Sequence, residues 1–385
     1  MSFSKKRVAL FLVAIFPITL LLLSCEWEAQ QQGNDFWEGD FRVIPVDQGR
    51  AIRIVSYGGN DTDVEIPRYV NGMPVTQIGR SAFFERNLAS VTTPDTVVSI
   101  RPLAFSRNRL TGIDIPGGVT VIAESAFSNN LLDGVIIPAG VTVIEAGAFF
   151  ANQLAGVIIP DGVTHIGSSA FSRNQLTSII IPDSVTDIGS FVFSHNQLVC
   201  VTIPYGITDI GSFTFSHNQL SSIIIPYGIT VIGADVFSHN LLDRVVIPES
   251  VVYIWSGAFS HNRLTYVTIP SGVVSIGSNA FANNQLPNIT LPDSVTHIDH
   301  SVFANNLLTS VTVPDNVSFI GERAFAGNEI TEITIGDSVI LGGLIFGPAT
   351  SNVFPHGFDA FYRANGSRAG TYTFDDYRWH AEFRE

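Results

Sequence analysis

Residues Leu176–Gln197 read LTSIIIPDSVTDIGSFVFSHNQ, and the chain repeats this stretch with variations along most of its length. Prolines stand at 94, 116, 138, 160, 182, 204, 226, 248, 270, 292 and 314, always 22 residues apart. Phenylalanines keep the same step from Phe83 and Phe105 to Phe325, asparagines from Asn108 to Asn328, and isoleucines from Ile78 to Ile320. Pro67 precedes Pro94 by 27 residues because VNGMPV (Val70–Val75) inserts a turn. At the far end the proline column becomes Gly336 and the pattern stops by Leu341. A unit this short cannot enclose its own apolar side, so neighbouring copies must stack, each burying the next.

Within one copy, Leu176, Ile179 and Ile181 have the spacing L-x-x-I-x-I, rich in β-branched residues and ended by a proline. That pattern predicts a short strand with Ile179 and Ile181 facing in and Ser178 and Ile180 facing out. Pro182-Asp183-Ser184 is a turn, because proline presets φ and aspartate caps the backbone that follows. Val185 and Ile188 return to the core, as a second short strand, and Phe193 follows them inward. The phenylalanine column predicts a continuous spine. The asparagine column predicts a ladder of amides satisfying the backbone of their own coil and the next one up. A second register, with the strand in IGSFVFSHNQL (Ile188–Leu198), also fits L-x-x-L-x-L-x-x-N-x-L. The equivalents of Phe191 in that register are Ser125, Gly147, Asp235 and Asn279, which do not suit a core, so the strand is expected at TSIII.

The chain has 385 residues, is 45% hydrophobic and only 14% charged, and carries a net charge of −14. Typical soluble domains are about 25% charged, so surface ion pairs are not what holds this chain together. Every basic residue after Lys6 is arginine or histidine, and none of them cluster, which excludes a nucleic-acid partner. Lys5, Lys6 and Arg7 precede the apolar run VALFLVAIFPITLLLL, and LLSC ends at Cys25, the layout of a secretory signal peptide. The run is too short, and interrupted by Pro17, for a membrane span of ~20 residues. LLSC resembles a bacterial lipobox, which implies cleavage before Cys25 and a lipid on its thiol; an ordinary signal peptide with an incidental cysteine is the other reading. EWEAQQQGND (Glu26–Asp35) then serves as a tether. Cys200 is left without a partner, so the exported fold stands without disulfides.

The unit LTSIIIPDSVTDIGSFVFSHNQ resembles the bacterial-surface (BspA-like) leucine-rich repeats, from about Ala51 to Ile335. The resemblance implies a mainly β fold, a leucine-rich-repeat solenoid with a parallel β-sheet, of about twelve coils of 22 residues. AIRIVSYGGNDTDVEIPRYVNGMPVTQIGRSAF (Ala51–Phe83) is similar to the family's N-terminal cap, and FYRANGSRAGTYTFDDYRW (Phe361–Trp379) to a segment found after such arrays. This unit is one residue shorter than the family's common one and has asparagine near a position where the family often has cysteine. The expected divisions are a lipoprotein signal peptide at 1–24, a polar tether at 25–39, an N-terminal cap at 40–66, the solenoid at 67–340 and a C-terminal cap at 341–385. Both ends need caps because an open strand edge invites aggregation.

No motif in the chain points to catalysis. There is no G-x-x-x-x-G-K-[ST], H-E-x-x-H, paired C-x-x-C or G-x-S-x-G. GGNDTD (Gly58–Asp63) lacks the calcium-loop spacing and its closing glutamate. No enzyme activity and no cofactor are expected. FSHN recurs at Phe193, Phe215, Phe237 and Phe259, placing His195, His217, His239 and His261 in one column. Elsewhere that column holds Arg107, Asn129, Ala151, Arg173 and Gly327, the mark of an exposed turn. A stacked row offers two ligands per zinc ion and no carboxylate to complete a tetrahedron, so the histidines are read as carried along by repeat duplication, with metal binding the lesser alternative. Mutual repulsion should lower their pKa values.

Function is therefore expected on the faces of the solenoid. The outward strand column runs Asp114, Ile136, Ile158, Ile180, Thr202, Ile224 and Val246, then grades into threonine from Thr268 to Thr334. A neighbouring outward column holds Cys200, Arg244 and Tyr266, and the turn column brings Tyr205 beside Tyr227, as Phe191 lies beside Phe213. Contiguous exposed apolar surface marks partners, although strand propensity alone also favours β-branched residues. Ile136, Ile158, Ile180, Thr202, Ile224, Val246, Tyr205 and Tyr227 are the candidate ligand-binding residues. The family resemblance implies a lipid-anchored protein on the outer-membrane surface that attaches to host extracellular matrix proteins or to other cells, touching the membrane only through its N-terminal lipid. The alternative is an envelope or periplasmic scaffold that self-associates through the same stripe.

Overall fold

The computed structural model describes residues 35–342 and 353–384. The expected signal peptide, the Cys25 anchor and most of the tether lie outside the described residues. The chain winds into a parallel β-solenoid of about 13 turns with a spacing of about 22 residues. Each turn contributes its apolar column residues to one unbroken core that runs the length of the array.

The phenylalanine spine sits at the centre of that core. Phe83 through Phe325 have no exposed surface. Successive ring centroids lie 5.0 to 5.8 Å apart with nearly parallel planes. Tyr57 begins the stack, 5.6 Å from Phe83, and Phe354 ends it, 4.9 Å from Phe325. The asparagine ladder is present, but each amide reaches back rather than forward. Asn196 Oδ1 accepts from Leu176 N–H, one turn of the solenoid earlier, at 3.0 Å, and its Nδ2 donates to Phe171 O, also one turn earlier, and to Phe193 O of its own turn. The forward contacts come from the backbone: Phe193 N–H donates to Thr214 O and His195 N–H to Ser216 O, both at 3.0 Å. Each coil is thus bonded in both directions, and the buried asparagines leave no orphaned amide.

Two strand columns flank the core. The strand expected at TSIII is there, as Ser178–Ile180 with an exposed–buried–exposed pattern. It pairs in parallel with Cys200–Thr202. Arg244–Val246 likewise pairs with Tyr266–Thr268, and Ser310–Thr312 with Glu332–Ile335. The longer hydrogen-bonded ladders belong to the second strand. One joins four strands from Val121–Ile122 to Asp187–Ile188, and another joins six from Val231–Ile232 to Ile340–Leu341. Each TSIII segment is kept short by a proline, which supplies no N–H, and the ladder along this column is interrupted. Asp63–Glu65 pairs in parallel with Ser90–Thr92, but in the coils where Gly112, Gly134 and Gly156 stand the ladder is reduced, among the described residues, to the Asp114–Ile136 bridge.

Both ends are closed. The strands Phe36–Glu38, Phe41–Val46 and Ala51–Tyr57 form an antiparallel meander, and the last of them pairs in parallel with Met73–Ile78 of the first coil. The first of these strands lies within the stretch expected to be tether. At the other end the hairpin Gly370–Asp375 and Arg378–Phe383 adds antiparallel to Glu332–Ile335. The helix Phe358–Ala364 covers the last coil. Its Tyr362 hydroxyl donates to Gly336 O at 2.7 Å, and Arg363 donates to Leu341 O at 2.6 Å, so side chains meet backbone groups that a further coil would have met.

Candidate functional site

The strand alternation that buries Ile179 turns Ile180 outward, and the parallel register sets Ile180 beside Thr202 and Asp114 beside Ile136. Ile136 and Ile158 are 82% and 85% exposed, more than any core isoleucine by an order of magnitude. Ile180, Ile224 and Val246 continue the stripe, all exposed, with Thr202 exposed between them. Tyr205 and Tyr227 are exposed in the turn column, but their rings do not stack. Phe191 and Phe213 do, with centroids 4.5 Å apart. Cys200 is an exposed free thiol, and Arg244 lies in register with Tyr266.

Beside the stripe the structure adds a feature that the isoleucine column alone does not reveal. A shallow groove of about 780 Å³ runs along the early coils between Ile136 and Ile158, floored by Gly112, Gly134 and Gly156. A Cβ built on any of these three glycines would meet nothing within 4 Å, and none has a positive φ. Neither backbone conformation nor packing calls for glycine there, so their effect is to leave the groove open. The signal was in the sequence, in the column that holds Cys200, Arg244 and Tyr266 further along. With aliphatic walls and Asp114 as its one ionisable group, the groove suits apolar contact rather than bond-making.

The histidine row is as regular as the spine. Successive rings from His195 to His261 stack at 4.3, 4.2 and 4.2 Å. All four residues are exposed and hold φ between 54° and 56°, and Arg107, Asn129 and Asn283 hold the same left-handed conformation in their coils. Asparagine and histidine are enriched at such positions, which explains why the column favours them. Asn283 continues the row, 3.3 Å from His261 Nε2. The pKa values of His195, His217 and His239 are lowered, but burial is the first cause and the charge of neighbours the second, so the expected repulsion is the smaller effect. Asp235, in an adjacent column, lies close enough to His217 and His239 to oppose their shifts. Its own carboxyl is pushed up by burial. Among the described residues no group of three or more histidine, cysteine or acidic side chains is arranged to hold a metal ion.

The model of the BspA type leucine rich repeat region matches residues 60–175, 148–262 and 231–347. Among solved structures, the chain is similar to the pneumococcal vaccine antigen PcpA at 22% identity, covering 81% of this chain and 85% of that one with a TM-score of 0.58. It is also similar to a leucine-rich repeat protein from Bacteroides ovatus at 18% identity, covering 82% and 92%, with a TM-score of 0.55. At these identities the likeness is one of fold. No curated protein matches the chain.

Proposed function

The chain belongs to the BspA-type leucine-rich-repeat family, and from that premise we propose that it is a non-enzymatic protein that binds a macromolecular partner through the strand face of its solenoid. The partner is a host extracellular matrix protein or the surface of another cell, and the protein is exported and held at the cell surface by a lipid on Cys25. One observation carries this reading: an in-line run of exposed aliphatic side chains, from Ile136 to Val246, bordered by a groove that glycines keep open. Burying an exposed isoleucine against a partner is worth about 1.5–3 kcal/mol. A few such residues at the centre of an interface suffice to dominate its affinity. Family membership supports the reading because repeat solenoids commonly bind proteins on their extended faces.

The test replaces Ile158, Ile180 and Ile224 with aspartate together. These side chains point away from the core, so the variant is expected to fold with an unchanged melting profile and to lose binding to immobilised matrix proteins or to partner cells. Protease treatment of intact cells, with a periplasmic control protein, reports exposure. If the solenoid is protected until the outer barrier is broken, or if the variant loses self-association instead of partner binding, an envelope scaffold replaces the adhesive role.

A further inference from the structure

Trp255 occupies a column in which glycine is the commonest residue, though Arg101, Ala123, Glu145 and Asp299 also stand in it. Its equivalents are Gly167, Gly189, Gly211, Gly233, Gly277 and Gly321 in six of the neighbouring coils. A Cβ on Gly211 would come within 2.4 Å of Gly189 C, and one on Gly277 within 2.7 Å of Ser256 N. Trp255 is the one aromatic residue of the column. The indole is not buried: it is 52% exposed and has no contact with another ring. About half of this large side chain therefore lies open to solvent rather than in the core.

The surroundings indicate what it meets. Trp255 borders a pocket of about 210 Å³, together with Tyr253, Ser256, Ser275, Gly277 and Asp299. The phenol of Tyr253, the hydroxyls of Ser256 and Ser275 and the carboxylate of Asp299 form no hydrogen bonds to other described residues. With Gly233 and Gly277 on either side, no side chain of its own column covers the indole. A half-exposed indole beside three free hydroxyls, which can donate and accept, and one carboxylate has the make-up of a sugar site. The C–H groups on one face of a pyranose rest on the electron-rich face of the ring, and the hydroxyls at the sugar's edge pair with the polar rim.

We infer that the surface around Trp255, Tyr253 and Asp299 is a carbohydrate-binding subsite for a single neutral pyranose of a glycan. The pocket is smaller than the roughly 300–1,000 Å³ typical of drug-sized ligands, so it takes one ring. Asp299 and the net charge of −14 disfavour acidic sugars. A quaternary ammonium group is held best in a cage of several aromatic faces, and the Tyr253 ring does not contact Trp255. The subsite lies on the second strand column, away from the Ile136–Val246 stripe, and does not depend on that stripe's role.

The test is saturation-transfer-difference NMR on the full-length protein. The probes are the methyl glycosides of glucose, galactose, mannose and N-acetylglucosamine, with tetramethylammonium as the cationic control. At least one glycoside is expected to receive saturation at its C–H protons. Trp255→Gly, which restores the residue preferred in its column and so should fold, is expected to weaken binding by about tenfold or more, while Trp255→Phe keeps most of it. Asp299→Ala should weaken it by a few-fold, and the Ile158, Ile180 and Ile224 aspartate variant should leave it unchanged. Absence of saturation at every glycoside, unchanged binding in Trp255→Gly and Asp299→Ala, or preferential binding of tetramethylammonium would each overturn the assignment.

Discussion

Replacing Phe215 with alanine tests the spine at its middle. The ring is fully buried and lies 5.8 Å from Phe193 on one side and 5.8 Å from Phe237 on the other. Truncating a buried phenylalanine costs about 3–5 kcal/mol, the spread reflecting how far the site can collapse. Here collapse is limited, because the coils on both sides are pinned to the mutated one by backbone and asparagine hydrogen bonds. Two stacked pairs are lost at once, each worth about 0.5–1.5 kcal/mol beyond area burial, so the upper half of the range is expected. Phe213, two residues away, supplies the control. It also stacks, but it is half-buried and held at a φ of 63°, where Gly147 and Gly257 stand in other coils. Phe213→Gly gives up one stack of about 0.5–1.5 kcal/mol, part of the ring's burial and about 0.5–1 kcal/mol of backbone entropy, and relieves left-handed strain of about 1–2 kcal/mol, so its net cost should be well below that of Phe215→Ala. Guanidinium melts followed by circular dichroism, fitted with a nearest-neighbour repeat scheme rather than a single two-state step, measure both. A cost below about 1 kcal/mol for Phe215→Ala, where core truncation should cost several times that, or equal costs for the two variants, would refute the spine as the main source of cohesion.

Asn218→Ala is expected to cost roughly 2–4 kcal/mol, because Leu198 N–H loses its only acceptor while Phe193 O and Phe215 O each keep a second donor. Asn218→Asp should cost more, since the carboxylate would face those same carbonyls; an aspartate variant as stable as wild type refutes the ladder. Stability should fall on acidification below the ordinary histidine pKa of 6.5, because His195, His217 and His239 have lowered values and the unfolded chain therefore takes up protons first. Asp235, with its raised value, acts in the opposite sense and at lower pH, stabilising the fold as pH falls towards its ordinary 3.8. Replacing His195, His217 and His239 with asparagine, already present in the column, should flatten the slope just below pH 6.5 in pH-dependent melts; an unchanged slope places the titrating groups elsewhere. Removing residues 369–385 exposes the edge of Glu332–Ile335, and concentration-dependent self-association by light scattering is expected; a monomer as stable as the intact protein would show that the hairpin is not a cap.

Much of the architecture was legible because a strict period specifies neighbours. Once Phe193, Phe215 and Phe237 recur at one step, coil stacking makes them touch. Once Ile179 is buried by strand alternation, Ile180 must face out. The stripe from Ile136 to Val246 was readable for that reason, and so was the stacking of His195 on His217. Asn196 was harder: its column shows that an amide recurs, but spacing is the same in both directions and cannot tell whether it serves the coil before or after. The structure decides for the coil before, because the asparagine turn folds its side chain back onto Leu176 and Phe171.

The sequence by itself determined the solenoid, its core columns and its outward stripe, since these follow from the period and from the two-residue alternation of a strand. Only the tertiary structure decided which strand column carries the longer ladder, that the histidine column is left-handed, and that burial outweighs repulsion in setting its pKa values. It alone shows Trp255 standing open between Gly233 and Gly277, and the cap residues Tyr362 and Arg363 meeting the last backbone groups. The physical reason is the same in each case. Backbone dihedrals, hydrogen-bond direction and burial depend on how successive coils close on one another, and the caps have no period from which to be read.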